Sequence, residues 1–270
     1  VNNITILLKV IALPCFFFMF GYAIYTSEYY WILYSLLCYK IVELIGDQIG
    51  LHRYFAHRSF KTGPIRHQLL CWSSIMVAQG TILGHTAVHR SHHKHPDTDK
   101  DVHSPKYLSL WDMFLLHFKN EEYYREKTTL VVPRDLLRDK TVMFNHHNYI
   151  GIWITYLVLS SIISYFIGWQ FLVFFVFGNI GWNVFHGTLR IYLYHLNTWG
   201  SYRNFDLRDQ GDYSTNNQWI HYWDTGEGLH NNHHMYPNSY TMAVKPNEFD
   251  LAGWTVKHFF LIDNGKDLQS

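Results

Sequence analysis

Cysteine is scarce in this chain of 270 residues: only Cys15, Cys38 and Cys71 occur, an odd number with no CxxC spacing. A disulfide framework and a zinc ribbon are therefore excluded, and all three read as packing residues in apolar surroundings. Charge of one sign is lacking too. Lys and Arg number 22 against 21 Asp and Glu, a formal net charge of +1, so no global basic field exists to hold a nucleic acid, and no such partner is expected. No Gly/Ser linker or low-complexity tract divides the sequence, which predicts a single domain over residues 1–270. Disorder is excluded by a hydrophobic content of 48% with 18% aromatic residues.

What the chain does have is apolar length and histidine. A mean hydropathy of −0.11 averages long apolar runs with a polar middle and end. Ile4 to Thr26 and Tyr29 to Ile49 each reach the ~20 residues of a spanning helix, as do residues 149–167 and 171–193. The expected fold is an all-α integral membrane protein: four transmembrane helices (about 4–26, 29–49, 149–167 and 171–193) in two hairpins, with a cytosolic helical cap. Both hairpin turns lack Lys and Arg, whereas residues 52–148 hold 14 and residues 190–270 hold six, which puts 52–148 and 194–270 in the cytoplasm. The membrane would be the plasma membrane in a bacterium and the endoplasmic reticulum in a eukaryote. A further apolar run, His67 to about His85, contains Gln68, Gln79 and two histidines, and one extra crossing would part the polar segments; a buried or interfacial cytosolic helix is expected there. The first run is too long, and lacks the small-residue cleavage pattern, for a secretory signal.

The 19 histidines nearly equal all Lys and Arg together. HRYFAH supplies His52 and His57, HRSHH supplies His89, His92 and His93, and HNNHH supplies His230, His233 and His234. On an α-helix the spacing i, i+3, i+4 gathers three side chains on one face, so each triplet is expected to aim three imidazoles at one point. His52 and His57 lie about 140° apart on an ideal α-helix, which suits a helix end or a straddled metal. His195 adds an imidazole just past the fourth run. Eight or nine ligands exceed the needs of one ion, so two are implied; imidazole suits Zn, Cu, Fe and Ni alike. Of the other histidines, His85 and His186 are the most plausible additions.

The sequence resembles the membrane fatty acid desaturases of the acyl-CoA (stearoyl-CoA) type from about Gly50 to Pro237. The resemblance rests on the strings GLHRYFAHRSFKT, HRSHHKHPDTDKDVHSP and GEGLHNNHHMYP. It implies that His52, His57, His89, His92, His93, His195, His230, His233 and His234 hold two irons. It further implies that O2 is activated there and a cis double bond, at the delta-9 position, enters a saturated chain carried on CoA or another acyl carrier. The family places an Asn, acting through water, four residues before the histidine matching His195; Ile191 stands there, leaving Asn183 or Asn197 as a substitute or the position open. Electrons would come from a separate donor, ferredoxin or cytochrome b5, because the chain has neither an HPGG haem string nor a cysteine set for an iron–sulfur centre.

Around this site, Asp97, Asp99, Asp101 and Glu227 are the nearby carboxylates, and Asp101 and Glu227 are chosen as the partners that orient ligating imidazoles. Lys40, Glu43 and Asp47 form a polar stripe on the second apolar run, read either as an interhelical salt bridge or as part of a substrate tunnel. Arg53, Arg58, Lys61, Arg90 and Lys94 are candidates for the phosphates of an acyl carrier at the mouth. Relatives on this scaffold that hydroxylate, decarboxylate or make acetylenic bonds are the alternatives within enzymes. A metal transporter is the remote one, because its ligands would lie near the bilayer midplane.

Overall fold

The computed structural model describes residues 3–262 and is mostly helical. Helix α1 (Asn3–Thr26) runs unbroken through Pro14 and buries Leu8, Ala12, Met19 and Ala23 along one stripe. Helix α2 (Tyr30–Val42) passes without interruption into a π-helix, Glu43–Ala56. Helix α3 (Pro64–Met76) begins on a proline, where a missing N–H costs nothing. Helix α4 (Ile82–Lys94) is capped by the Thr81 hydroxyl, which accepts from the Gly84 N–H.

Short helices α5 (Leu110–Leu116), α6 (Glu121–Lys127) and α7 (Lys140–His147) lead to α8 (Tyr149–Ile167). A second π-helix, Phe171–Phe177, continues as α9 (Gly178–Leu193). Two-residue strands β1 (Ser201–Tyr202) and β2 (Asn216–Asn217) pair antiparallel, Ser201 opposite Asn217. Helices α10 (Ile220–Trp223), α11 (His230–Met235) and α12 (Leu251–Thr255) follow, and α12 runs into a third π-helix, Val256–Phe260.

Among the described residues, three helical segments are long and apolar enough to cross a membrane: Asn3–Thr26, Tyr149–Ile167 and Phe171–Leu193. On α8, Ile150, Ile154, Val158 and Ile162 are exposed along one face, as lipid contact requires. The run expected to span at 29–49 is helical, but it changes helix type after Val42 and carries Glu43 and Asp47 buried within the protein. The single helix expected over His67–His85 is in fact two, because Ala78 and Gly80 take positive φ (58° and 96°) and turn the chain between α3 and α4.

The first π-helix is held against α3 at Gly46 and Gly50. A Cβ on Gly46 would collide with the Ser73 carbonyl, and one on Gly50 with the Ser74 hydroxyl. Ser74 Oγ donates to the Gly46 carbonyl at 3.0 Å. This crossing, with Ile49, Phe55, Leu70 and Cys71 in the adjoining core, fixes the segment that carries His52 and His57.

Candidate metal centre

All nine histidines singled out in the sequence converge, and they do so as two groups. His52, His57, His89, His93 and His233 form one, and His92, His195, His230 and His234 form the other. The triplets are therefore divided, contrary to the expectation that each serves one point. On α4, His89 and His93 (i, i+4) face the first group while His92 (i+3) faces the second; on α11, His230 and His234 face the second while His233 faces the first. The reason is angular: i and i+4 differ by about 40° on a helix, whereas i+3 lies about 100° from i+4. The HxxxxH spacing is resolved by the π-helix, whose i→i+5 bonding, seen as His57 N–H to the His52 carbonyl at 3.1 Å, brings residues five apart onto one side.

The Nε2 atoms point inward. Those of His52 and His233 are 3.0 Å apart, His57 and His89 2.7 Å, and His93 and His233 2.9 Å. In the second group, His92 and His234 are 3.3 Å apart and His230 and His234 3.1 Å. Such separations match neighbouring ligands around an ion with metal–nitrogen bonds of about 2.1 Å. The buried Nε2 of His195 meets no hydrogen-bond partner in the protein, as a ligand atom reserved for an ion would.

Carboxylates hold the opposite ring nitrogens. Glu227 meets His52 Nδ1 at 2.7 Å and Asp101 meets His92 Nδ1 at 2.9 Å, both as chosen from the sequence. Asp97 meets His195 Nδ1 and Asp212 meets His234 Nδ1, each at 2.6 Å. Asp97 was passed over in the sequence and Asp212 gave no signal at all, lying in a loop 22 residues before its partner. Exposed Asp99 takes no such place.

Electrostatics favours neutral ligands. Burial, reinforced by neighbouring imidazoles, pushes His57, His89, His93, His230 and His233 well below the ordinary histidine range. Burial likewise brings His234 down to about 4 against the pull of Asp212. At His195 burial also acts downward, but Asp97 outweighs it and the value is raised. Burial opposes ionisation of Asp97, Asp101, Asp212 and Glu227, yet their histidine partners prevail and all four lie below the ordinary carboxylate range. An anionic carboxylate on Nδ1–H fixes the tautomer in which Nε2 is free for a metal.

His52, His89, His92, His195 and His230 line a cavity of about 1130 Å³ that passes between α1, α4, α5 and α9. Lys40 and Glu43 do not line it. They form an ion pair at 2.7 Å in a network where Arg190, unforeseen in the sequence, bonds Glu43 at 3.2 Å and Asp47 at 2.5 Å. Lys40–Glu43 is a pair within one helix, the bridges to another helix run from Arg190 to Glu43 and Asp47, and Asp47 also reaches the cavity wall. His186 belongs to this network through Glu43 and Asp224, and His85 lies on the cavity wall.

Arg53 is not at a mouth, as a carrier phosphate would need. It is buried at 1% exposure between Glu227 (3.0 Å) and Asp250 (2.8 Å), where its planar fork satisfies two carboxylates at once. Arg90 is committed to Asp135, which Arg58 also approaches; Lys61 and Lys94 are exposed. Asn197 accepts from Arg203 and Asn183 from Gln79, so both candidates for the Ile191 substitution are engaged elsewhere.

The family model for fatty acid desaturase matches residues 30–260. Similar proteins include a hex-5-enoyl-[acyl-carrier protein] acetylenase of Moorena producens, 30% identical over 78% of this chain and 68% of that protein. The sn-1 stearoyl-lipid 9-desaturases of Anabaena variabilis and Synechocystis are 32% and 29% identical, covering 83% and 87% of this chain and 78% and 70% of theirs. With apolar helices fit for a bilayer and histidine clusters fit for metal, the chain belongs to the fatty acid desaturase family and is an enzyme acting on fatty acyl chains.

Proposed function

We propose that the protein is an O2-dependent desaturase with two irons, which places a cis double bond at the delta-9 position of a saturated acyl chain carried on CoA or another acyl carrier. One observation carries the reading: nine imidazoles with inward Nε2 atoms form groups of five and four beside a single cavity, in a member of this family. His52, His57, His89, His93 and His233 would hold one iron, and His92, His195, His230 and His234 the other. Bound there, the irons would supply the O2 activation that removal of hydrogen from unactivated methylenes demands.

The chain's own residues orient and position. Glu227, Asp101, Asp97 and Asp212 keep protons on Nδ1, and burial keeps bulk water from the ligands. The cavity wall decides which methylenes are presented. Ile191 lines that wall without offering a donor where the family places an Asn. A separate donor, ferredoxin or cytochrome b5, would deliver electrons. In the bilayer we place one domain with four crossings, adding residues 29–49 to the three long apolar helices, and the histidines on the cytoplasmic side; the distribution of Lys and Arg supports this.

A second reading, acetylenase, has support in the name of the Moorena producens relative. Expression in a desaturase-deficient host, with lipid analysis that locates new unsaturation and iron analysis of the purified protein, tests both. A new cis double bond is expected; a triple bond would favour the second reading. A hydroxylated or shortened product, or protein that binds no iron, would overturn the first.

A further inference from the structure

Among the described residues the buried cations are Lys9, Arg53 and Arg190, and the two arginines are matched to carboxylates. Arg53 pairs with Glu227 and Asp250, and Arg190 with Glu43 and Asp47. Lys9, 3% exposed on α1, has no carboxylate partner among the described residues. Its Nζ lies 3.2 Å from His117 Nδ1 and donates to the His117 carbonyl at 3.4 Å, two neutral acceptors for a group with three N–H bonds. Burial, followed by the charge of Lys9, drives His117 well below the ordinary histidine range, so its ring is a neutral acceptor. A lysine inside an apolar spanning helix is costly and faces protein or water when it occurs.

Lys9 and His117 line the same cavity as His52, His89 and His92. Gln79, His85, Asp47 and Arg190 also line it, and Leu83, Met113 and Leu116 add apolar surface. A plain hydrocarbon beside Lys9 would add no polar partner for its buried Nζ. The His117 ring borders Gly187, where a Cβ would sit 3.6 Å from Cε1. His195 follows Gly187 by eight positions, which separates the Lys9 end of the cavity from the second histidine group by on the order of 10 Å along the α9 axis.

We propose that Lys9, supported by His117, is the anchor of a subsite for a carboxylate carried on the substrate's acyl chain. This deepens the desaturase reading and rests on it: the preferred acyl chain bears a second, anionic end, its methylenes lie against the apolar surface, and Lys9 fixes the register in which carbons meet the metal centre.

The test is calorimetric binding to the iron-loaded enzyme in lipid nanodiscs, with monomethyl dodecanedioate, which carries a carboxylate, against its neutral dimethyl ester. The monoester is expected to bind about tenfold more tightly, as one charge-assisted hydrogen bond implies. Lys9→Met should abolish the difference while leaving the diester unaffected, and Lys9→Arg should retain it. Lys9→Gln, which keeps a hydrogen bond to His117 without the charge, gives the same reading if the methionine variant fails to fold. Equal binding of both probes, or a preference that survives loss of Lys9 because iron captures the carboxylate, overturns the subsite. Product and iron analysis of the same preparations judge the desaturase reading separately: desaturation without discrimination sinks the subsite alone.

Discussion

At the scale of the residue, the carboxylates on the imidazoles are unevenly shared: three of them serve the four-histidine group, and Glu227 alone serves the five. Removing one charge without changing shape should expose its work. Glu227→Gln is expected to lower iron affinity about 10–100-fold, the usual penalty for losing such a support, read by anaerobic competition with a chelator; unchanged affinity would mean that Arg53, not His52, is the partner that matters to Glu227. The same groups set a direction with pH. His57, His89, His93, His230, His233 and His234 are held neutral below their unfolded value of 6.5, and the four carboxylates are held ionised below theirs. In both sets the unfolded chain binds more protons as pH falls, so their stabilisation is complete above 6.5 and declines on acidification; His195, whose value is raised, acts in the opposite sense. Metal-free protein should accordingly lose thermal stability from pH 6.5 to about 4, the window that His234 spans, whereas a flat profile would contradict the buried neutral state. The histidines themselves were legible in the sequence because ligand type and spacing announce them. Asp212 was not, since a loop carboxylate carries no periodicity to link it with a distant helix.

At the scale of the element, the decisive features are a helix type and a crossing. The length of the apolar run revealed a helix leading to His52 but not that it becomes a π-helix at Glu43, because apolar residues alone do not distinguish i→i+4 from i→i+5 bonding. Likewise the stripe of Lys40, Glu43 and Asp47 was visible, but its partner Arg190 lies 143 residues beyond Asp47 on another helix. Arg190 ties α9 to the π-helix, and Arg190→Met would strand a buried Asp47 carboxylate. A loss of about 3–5 kcal/mol in unfolding free energy is expected from chemical denaturation in detergent, the cost of breaking a buried pair from one side. A loss below about 1 kcal/mol would show that the network is solvated and has little hold on α9.

At the scale of the whole molecule, the proposed arrangement puts every histidine group at one membrane face. Reporter fusions after residues 28 and 169 should signal from the face opposite to fusions after residues 100 and 245; agreement among all four would remove the two-hairpin arrangement. The division of both histidine triplets, set by nothing more than the step between i+3 and i+4, has a further result for assembly. Since α4 and α11 each lend imidazoles to both histidine groups, under the proposed two-iron reading neither helix would settle until both ions were seated, and departure of one would loosen the grip on its neighbour. Filling should therefore be cooperative: ferrous titration of the emptied protein, followed by native mass spectrometry, should pass from none to two with little singly loaded species between.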